Sequence, residues 1–287
     1  MTLELTAKCN FRCPCCYCLW HEYPSLAENE LDLDGWKAIL DKCAADGVDD
    51  VLFTGGEATL RADIFRILDY ARRTLPGARL SLFTNASRLD ESALKKFRRR
   101  RVHLATSLQG LATYGEMTGT RRRCGRLLSL IAKASELGWP FAVSLTVTRA
   151  NMSEAADMFA AAALSGAEFI QAGPVMLGGR AVSRRDLAIG PDEWEKVKRE
   201  IRSLPDARVP YTFCDEFACD CRTDLPRVPL AKREDAGRKP CQAGKAFGTV
   251  GPDGRYRTCL HALPKKAARF SVSRGSKKRK CTLAGFA

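Results

Sequence analysis

No run of apolar residues in the sequence reaches the roughly 18 residues that a membrane-spanning helix requires. The first residues also lack the basic and then apolar pattern of a secretory signal peptide. We therefore expect a cytoplasmic protein without a membrane partner, in a compartment where thiols stay reduced. In that setting the 13 cysteines of this 287-residue chain indicate metal ligands rather than disulfides.

Acidic residues are absent from residues 264–287, where eight Lys and Arg contribute more than half of the net charge of +14. Because this segment combines low apolar content with charge of one sign, we predict that it is a disordered tail. The other basic clusters lie beside predicted helices and lack the interleaved aromatic residues of proteins that stack on bases. A nucleic-acid partner is therefore not expected.

Five cysteines lie close together near the start of the sequence, at Cys9, Cys13, Cys15, Cys16 and Cys18. Among them, Cys9, Cys13 and Cys16 have the spacing C-x3-C-x2-C. Three thiolates on one loop can bind three irons of a four-iron cluster and leave the fourth iron open to another ligand. The overlapping pairs Cys13/Cys16 and Cys15/Cys18 also have the spacing of zinc ligands, so a zinc site is an alternative for this run.

A second motif, Gly55-Gly56-Glu57, directly follows a predicted buried strand. Two glycines at a strand end let the backbone approach a ligand closely, and Glu57 adds a carboxylate beside them. Alone, this motif is also typical of an ordinary turn. Following C-x3-C-x2-C along the chain, it resembles the motif of the radical S-adenosylmethionine (radical SAM) enzymes, with Ala58 where that family usually has proline.

The resemblance implies that Cys9, Cys13 and Cys16 hold a [4Fe–4S] cluster whose open iron binds SAM, while Cys15 and Cys18 are dispensable. It also implies a SAM pocket at the ends of strands two to four. The alternative for each polar residue at these strand ends is that it caps the next turn. The expected SAM-binding residues are Gly55, Gly56, Glu57, Asn85 and Ser107.

The periodicity of apolar residues predicts six alternating strands and helices, which is typical of βαβ units around a parallel sheet. Together with the resemblance, it predicts an α/β fold: an open, partial (β/α)6 TIM-like barrel with a small Cys-rich C-terminal extension. We place the radical SAM core at residues 1–205, the extension at 206–263 and the basic tail at 264–287. The predicted strands are Leu3–Ala7, Asp50–Thr54, Arg79–Thr84, Val102–Ser107, Phe141–Thr148 and Glu168–Pro174.

A second group of cysteines follows residue 205. Between Cys241 and Cys259, Asp253-Gly254 predicts a β-hairpin turn, and this stretch resembles the front half of a SPASM or twitch extension. The resemblance implies an auxiliary iron–sulfur cluster, and structural zinc is the alternative. The other candidate ligands are Cys214, Cys219 and Cys221.

Two further cysteines, Cys43 and Cys124, are predicted to be small core residues. The motifs identify no catalytic acid or base.

The resemblance implies that the enzyme reductively cleaves SAM to a 5′-deoxyadenosyl radical, which abstracts hydrogen from a substrate. The extension favours a peptide or protein substrate, as in peptide maturases and sulfatase maturases, with an electron donor such as flavodoxin or ferredoxin. One alternative is radical SAM modification of a small cofactor precursor of the haem or quinone type. Another is a non-enzymatic zinc protein that binds nucleic acid.

Overall fold

The computed structural model describes residues 1–205, 208–215 and 243–263. Strands and helices alternate through most of these residues, as the apolar periodicity predicts. None of the helices in these ranges is both long enough and apolar enough to cross a membrane. In chain order the elements are β1 (Thr2–Glu4), α1 (Leu33–Ala45), β2 (Asp50–Thr54), α2 (Ile64–Thr74), β3 (Arg79–Phe83), α3 (Glu91–Arg99), β4 (Val102–Leu108), α4 (Tyr114–Thr118), α5 (Gly125–Glu136), β5 (Phe141–Val147), α6 (Ala155–Leu164), β6 (Phe169–Pro174), α7 (Pro191–Arg202), β7 (Tyr211–Phe213), β8 (Thr249–Val250) and β9 (Tyr256–Arg257).

The described residues form two compact units, which we call the first and the second unit. The first unit contains residues 1–10, 18–105 and 243–263. The second unit contains residues 11–17, 106–205 and 208–215. Strand β4 begins in the first unit and ends in the second.

The first unit has the strand order β9-β8-β1-β2-β3-β4. The pairs from β8 to β4 are parallel, and β8 and β9 are antiparallel. Leu3 lies opposite Phe53 and Val51 lies opposite Leu80, and all four side chains are buried. Because alternate residues of a strand share a face, these side chains form one apolar layer of the core.

Short side-chain caps fix where α1 and α3 of the first unit begin. Asp32 accepts a hydrogen bond of 2.8 Å from the Gly35 amide at the start of α1. Asp90 accepts a bond of the same length from the Ala93 amide at the start of α3. Each cap satisfies an amide that has no partner within its own helix.

The second unit has the strand order β4-β5-β6-β7, and the pairs β5–β6 and β6–β7 are parallel. The sequence did not predict β7. Its aromatic side chains pack on two helices, since the ring centroids of Tyr211 and Phe159 lie 5.2 Å apart and those of Phe213 and Trp194 lie 5.7 Å apart. These edge-to-face contacts hold a strand of three residues against α6 and α7.

The predicted α/β class with an open parallel sheet is confirmed, and most element bounds agree within two residues. The first strand is shorter than predicted and ends at Glu4. Beyond that residue the Thr6 hydroxyl and the Ala7 amide each donate a hydrogen bond of 2.8 Å to the Glu30 carboxylate instead of continuing a strand. The proposed boundaries at residues 205 and 263 stay predictions, and residues 264–287 lie outside the described part of the chain.

The two isolated cysteines differ in environment. Cys43 is buried in α1, so its prediction as a core residue is confirmed. For Cys124 the prediction is wrong, because it is partly exposed. It directly precedes α5 and is therefore not part of that helix's buried stripe.

Candidate active site

The two glycines after β2 lie directly on the backbone that leads from β1 to Cys9. A Cβ atom on Gly55 would lie 2.4 Å from the Thr6 carbonyl oxygen, and one on Gly56 would lie 2.4 Å from the Lys8 carbonyl oxygen. Gly55 also has a φ of +133°, which favours glycine. The glycines are thus required for contact within the chain, and their predicted role in SAM access stays a prediction.

The Glu57 carboxylate is buried and joins the ends of β2 and β3. Its Oε1 accepts hydrogen bonds from the Thr59 amide at 3.1 Å and from the hydroxyls of Thr59 and Thr84 at 2.5 and 2.7 Å. Its Oε2 accepts a bond of 2.6 Å from the Asn85 amide. The side chain is only 1% exposed, so these bonds hold a charge inside the first unit.

Asn85 connects Glu57 to the first cysteine of the triplet. While its backbone amide binds Glu57, its side-chain Nδ2 lies 2.9 Å from Asn10 Oδ1 and 4.0 Å from Cys9 Sγ. Cys9 itself is exposed. Within the first unit, the structure therefore brings together three predicted site residues, Cys9, Glu57 and Asn85, where β1, β2 and β3 end.

In the second unit, backbone contacts hold the loop with Cys13 and Cys16. The Cys16 amide donates to the Cys13 carbonyl at 3.3 Å, and the Arg180 amide donates to the Cys16 carbonyl at 2.8 Å. The Thr118 carbonyl accepts from the Arg12 amide at 3.0 Å and lies 3.8 Å from Cys13 Sγ. The sequence did not predict that Thr118 and Arg180 support the cysteine loop.

Both thiols that fall outside the C-x3-C-x2-C spacing are buried. Cys15 packs with Met117, Val175 and Leu177 in the second unit, and burial, with the neighbouring Cys16 as a smaller cause, raises its pKa to about 12. Cys18 is buried in the first unit, with its Sγ 3.9 Å from the Gly55 carbonyl oxygen. A buried, protonated thiol is a poor metal ligand, which supports the prediction that Cys15 is dispensable.

Ser107 lies inside β4 and is partly exposed. The next polar residue, Gln109, makes two contacts within the second unit. Its Oε1 lies 3.6 Å from Cys15 Sγ, and its backbone carbonyl accepts a hydrogen bond of 2.8 Å from Asn151 Nδ2. Asn151 is completely buried, and its Oδ1 accepts from the Thr148 amide at 2.7 Å. Asn151 therefore ties the ends of β4 and β5 together, while the SAM contact expected of Ser107 stays a prediction.

The C-terminal hairpin is confirmed by the antiparallel pairing of β8 and β9 and by Gly254, whose φ is +76°. Arg257 of β9 forms a buried ion pair with Glu4 of β1. Burial lowers the pKa of Arg257 to about 10, and the nearby Cys259 thiol opposes that change. Cys259 follows the hairpin and is buried.

The other candidate ligands of the auxiliary cluster are only partly described. Cys214 follows β7 in the second unit, where its amide donates to the Ala172 carbonyl at 2.8 Å. Cys219, Cys221 and Cys241 lie outside the described residues. In residues 1–205, 208–215 and 243–263, no group of three or more His, Cys, Asp or Glu has the geometry to hold a metal ion. Both sets of ligands stay predictions.

Comparison with known proteins places these residues in a family. A profile described as the Radical SAM superfamily matches residues 3–162, which is more than half of the chain. The chain belongs to the radical SAM superfamily. Members of this family use a [4Fe–4S] cluster and SAM. The soft thiols of Cys9, Cys13 and Cys16, which are exposed or partly exposed, are of the type that iron–sulfur clusters need.

Three radical SAM relatives show the range of known functions. The sporulation killing factor maturation protein SkfB of Bacillus subtilis is 30% identical over 189 residues, covering 63% of this chain and 43% of SkfB. The PqqA peptide cyclase of Gluconobacter oxydans is 29% identical over 268 residues, covering 89% of this chain and 68% of the cyclase. An AdoMet-dependent heme synthase of Methanosarcina barkeri is 31% identical over 159 residues, covering 54% of this chain and 44% of the synthase.

Among solved structures, Streptococcus suis SuiB bound to its precursor peptide SuiA has a TM-score of 0.72 at 15% identity, covering 94% of this chain and 61% of SuiB. SuiB bound to S-adenosylmethionine has a TM-score of 0.68 at 16% identity, covering 90% and 59%. These matches show that the chain has the open, partial-barrel fold of a radical SAM protein. The chain spans less than two thirds of the length of SuiB and less than half of SkfB.

Proposed function

We propose that this chain modifies a peptide or protein substrate by radical SAM chemistry. The observation that carries the proposal is the contact between Cys9, Asn85 and Glu57 at the ends of three parallel strands. Active residues of barrel folds lie at this end of the strands. PqqA peptide cyclase is named for a peptide, SkfB is named for the maturation of the sporulation killing factor, and SuiB is solved with a precursor peptide, which supports the substrate class.

Cys9, Cys13 and Cys16 would hold the [4Fe–4S] cluster and leave one iron open. When bound, the cluster and SAM supply the one-electron chemistry that removes a hydrogen atom from the substrate. The residues of the chain place the ligands. The backbone bonds to Thr118 and Arg180 fix the loop with Cys13 and Cys16 in the second unit.

Glu57 would bind the amino group of SAM. Its Oε1 is already shared among three donors, whereas Oε2 accepts a single bond, from the Asn85 amide, among the described residues. A carboxylate oxygen has room for a second hydrogen bond. The negative charge of Glu57 favours a cationic partner, since charge-assisted bonds in a buried place are strong.

An auxiliary iron–sulfur cluster is also part of the proposal, with Cys259 and Cys214 as ligand candidates together with Cys219, Cys221 and Cys241. The Gly254 hairpin that precedes Cys259 supports it. Changing Cys241 and Cys259 to Ala should lower the iron content by about one cluster and leave SAM cleavage intact. An electron donor such as flavodoxin or ferredoxin is proposed as a partner.

A second candidate is the modification of a small cofactor precursor, which the heme synthase relative supports. The two candidates differ in which molecule the enzyme modifies. If a short Cys-rich precursor peptide is encoded beside the gene, incubating it with the reconstituted enzyme should change its mass, as measured by mass spectrometry. If that peptide stays unmodified while a porphyrin precursor is consumed, the second candidate is correct.

The cluster assignment is tested by single Cys→Ala variants at positions 9, 13, 15, 16 and 18. After anaerobic reconstitution, 5′-deoxyadenosine should be lost when a proposed ligand is replaced and retained when Cys15 or Cys18 is replaced. Cys124→Ala is the matched control, because Cys124 is partly exposed and lies outside every proposed site. Loss of product in Cys15→Ala together with full product in Cys13→Ala would refute the assignment.

A further inference from the structure

Three residues near Cys9 form a closed ring of hydrogen bonds through the side chains of Asn85 and Asn10 and through the hydroxyl and backbone amide of Ser87. Asn85 Nδ2 donates to Asn10 Oδ1 at 2.9 Å, Asn10 Nδ2 donates to Ser87 Oγ at 2.8 Å, and the Ser87 amide donates to Asn85 Oδ1 at 2.9 Å. All three residues belong to the first unit. The ring joins the residue that follows Cys9 to the loop that follows β3.

The ring has a single consistent assignment of donors and acceptors. The backbone amide of Ser87 can only donate, so the oxygen of the Asn85 amide must face it. The NH₂ group of Asn85 must then face Asn10 and Cys9. Both the NH₂ group and the oxygen of the Asn85 side chain are therefore hydrogen-bonded within the chain. The sequence had instead suggested that this side chain contacts SAM.

The backbone inside the ring is strained. Ala86, between Asn85 and Ser87, has a φ of +57°, a conformation that alanine rarely adopts. Its amide donates to the Thr84 hydroxyl at 3.0 Å, and its side chain is buried. Strained residues persist where the surrounding bonds determine the conformation, and they concentrate at functional sites.

The ring leaves one N–H of Asn85 near a sulfur atom, since Nδ2 lies 4.0 Å from Cys9 Sγ. Hydrogen bonds to cysteine sulfur stabilise the additional negative charge of a reduced iron–sulfur cluster and thereby tune its reduction potential. We propose that Asn85 tunes the cluster through Cys9 rather than binding SAM, and that Asn10 and Ser87 are the positioning residues that orient its amide. This inference rests on the proposed function, in which Cys9 is a cluster ligand.

The test compares Asn85→Leu, Asn10→Leu and Ser87→Ala in the full chain, with Asn29→Leu as the matched control because Asn29 is exposed in the same unit. The reduction potential of the SAM-free cluster is measured by a redox titration followed by electron paramagnetic resonance. We expect the largest shift to more negative potential in Asn85→Leu. Asn10→Leu and Ser87→Ala should shift it in the same direction by less, and Asn29→Leu should leave it unchanged.

The affinity for SAM, measured separately, should remain unchanged in Asn85→Leu. An unchanged potential with weakened SAM binding in this variant would overturn the inference and make Asn85 a SAM ligand. A shift in Asn85→Leu without any shift in Asn10→Leu and Ser87→Ala would overturn the positioning part. Loss of cluster iron in the ring variants, with normal iron in Asn29→Leu, would overturn the tuning role and show that the ring holds the loop with Cys9 in place instead. Full cluster iron in Cys9→Ala would instead refute the proposed function.

Discussion

Replacing Glu57 by Ala should destabilise the chain even without metal or SAM. The change removes the acceptor of the Thr84 hydroxyl, which is buried, and of the Asn85 amide, which is partly buried. A buried donor that loses its acceptor costs about 1–3 kcal/mol. The buried Thr84 donor alone predicts a loss of about 1–3 kcal/mol in the free energy of unfolding, and the partly buried Asn85 amide adds a smaller amount, which together are a substantial part of the stability of most domains.

The measurement is urea unfolding of the metal-free chain followed by circular dichroism. Glu28→Ala serves as the matched control, since Glu28 is exposed, and its stability should change by less than about 0.5 kcal/mol. The loss of unfolding free energy in Glu57→Gln should lie between those of Glu57→Ala and Glu28→Ala. The glutamine side chain keeps one acceptor oxygen but turns an NH₂ group towards the other donors. An unfolding free energy of Glu57→Ala equal to that of the control would refute the structural role, and any loss of SAM affinity would then be a direct effect.

Two other predictions concern buried positions in the first unit. Burial raises the pKa of Cys43 to about 11, whereas the thiol of the unfolded chain has a pKa near 8.5. Between these two pH values the folded state keeps the proton and the unfolded state has lost it. The free energy of unfolding should therefore fall as the pH rises from about 8.5 to 11. Cys43→Ala should flatten this slope in urea unfolding at several pH values, and an unchanged slope would contradict the assignment. Ala86→Gly should leave stability nearly unchanged, because relief of a left-handed alanine, about 1–2 kcal/mol, offsets the lost methyl burial and the greater freedom of unfolded glycine. The control Ala132→Gly in α5 should cost about 1 kcal/mol, and an equal cost in both variants would show that Ala86 is not strained.

The repeating elements were predictable because their signals are local. Apolar periodicity gave β2 with the bounds that the structure has. The end of β1 was not predictable, since the Glu30 carboxylate that caps Thr6 and Ala7 comes from a distant part of the chain. The three residues of β7 carry too short a pattern, and their place is decided by aromatic packing on α6 and α7.

For the site, spacing predicted residue types but not their partners. The Gly-Gly-Glu motif and the cysteine triplet were visible in sequence, and the structure places Glu57 and Asn85 near Cys9. The contacts of Asn10 with Ser87 and of Arg180 with Cys16 are tertiary and leave no periodic trace. The positive φ of Ala86 was not predicted, because alanine gives no sequence signal for a left-handed backbone.

The ion pair between Glu4 and Arg257 has a consequence for how the chain matures on the ribosome. Strand β1 lies between β2 and β8, and β8 pairs with it through two residues only. During synthesis, β1 and β2 are complete long before Thr249 and Arg257 are made. Until then the Glu4 carboxylate has no Arg257 to pair with, so it either stays exposed to water or is neutralised on burial. The nascent chain therefore reaches the most stable arrangement of β1 late. The strand that leads to Cys9 gains its ion pair with Arg257 only when one of the last described segments has been translated.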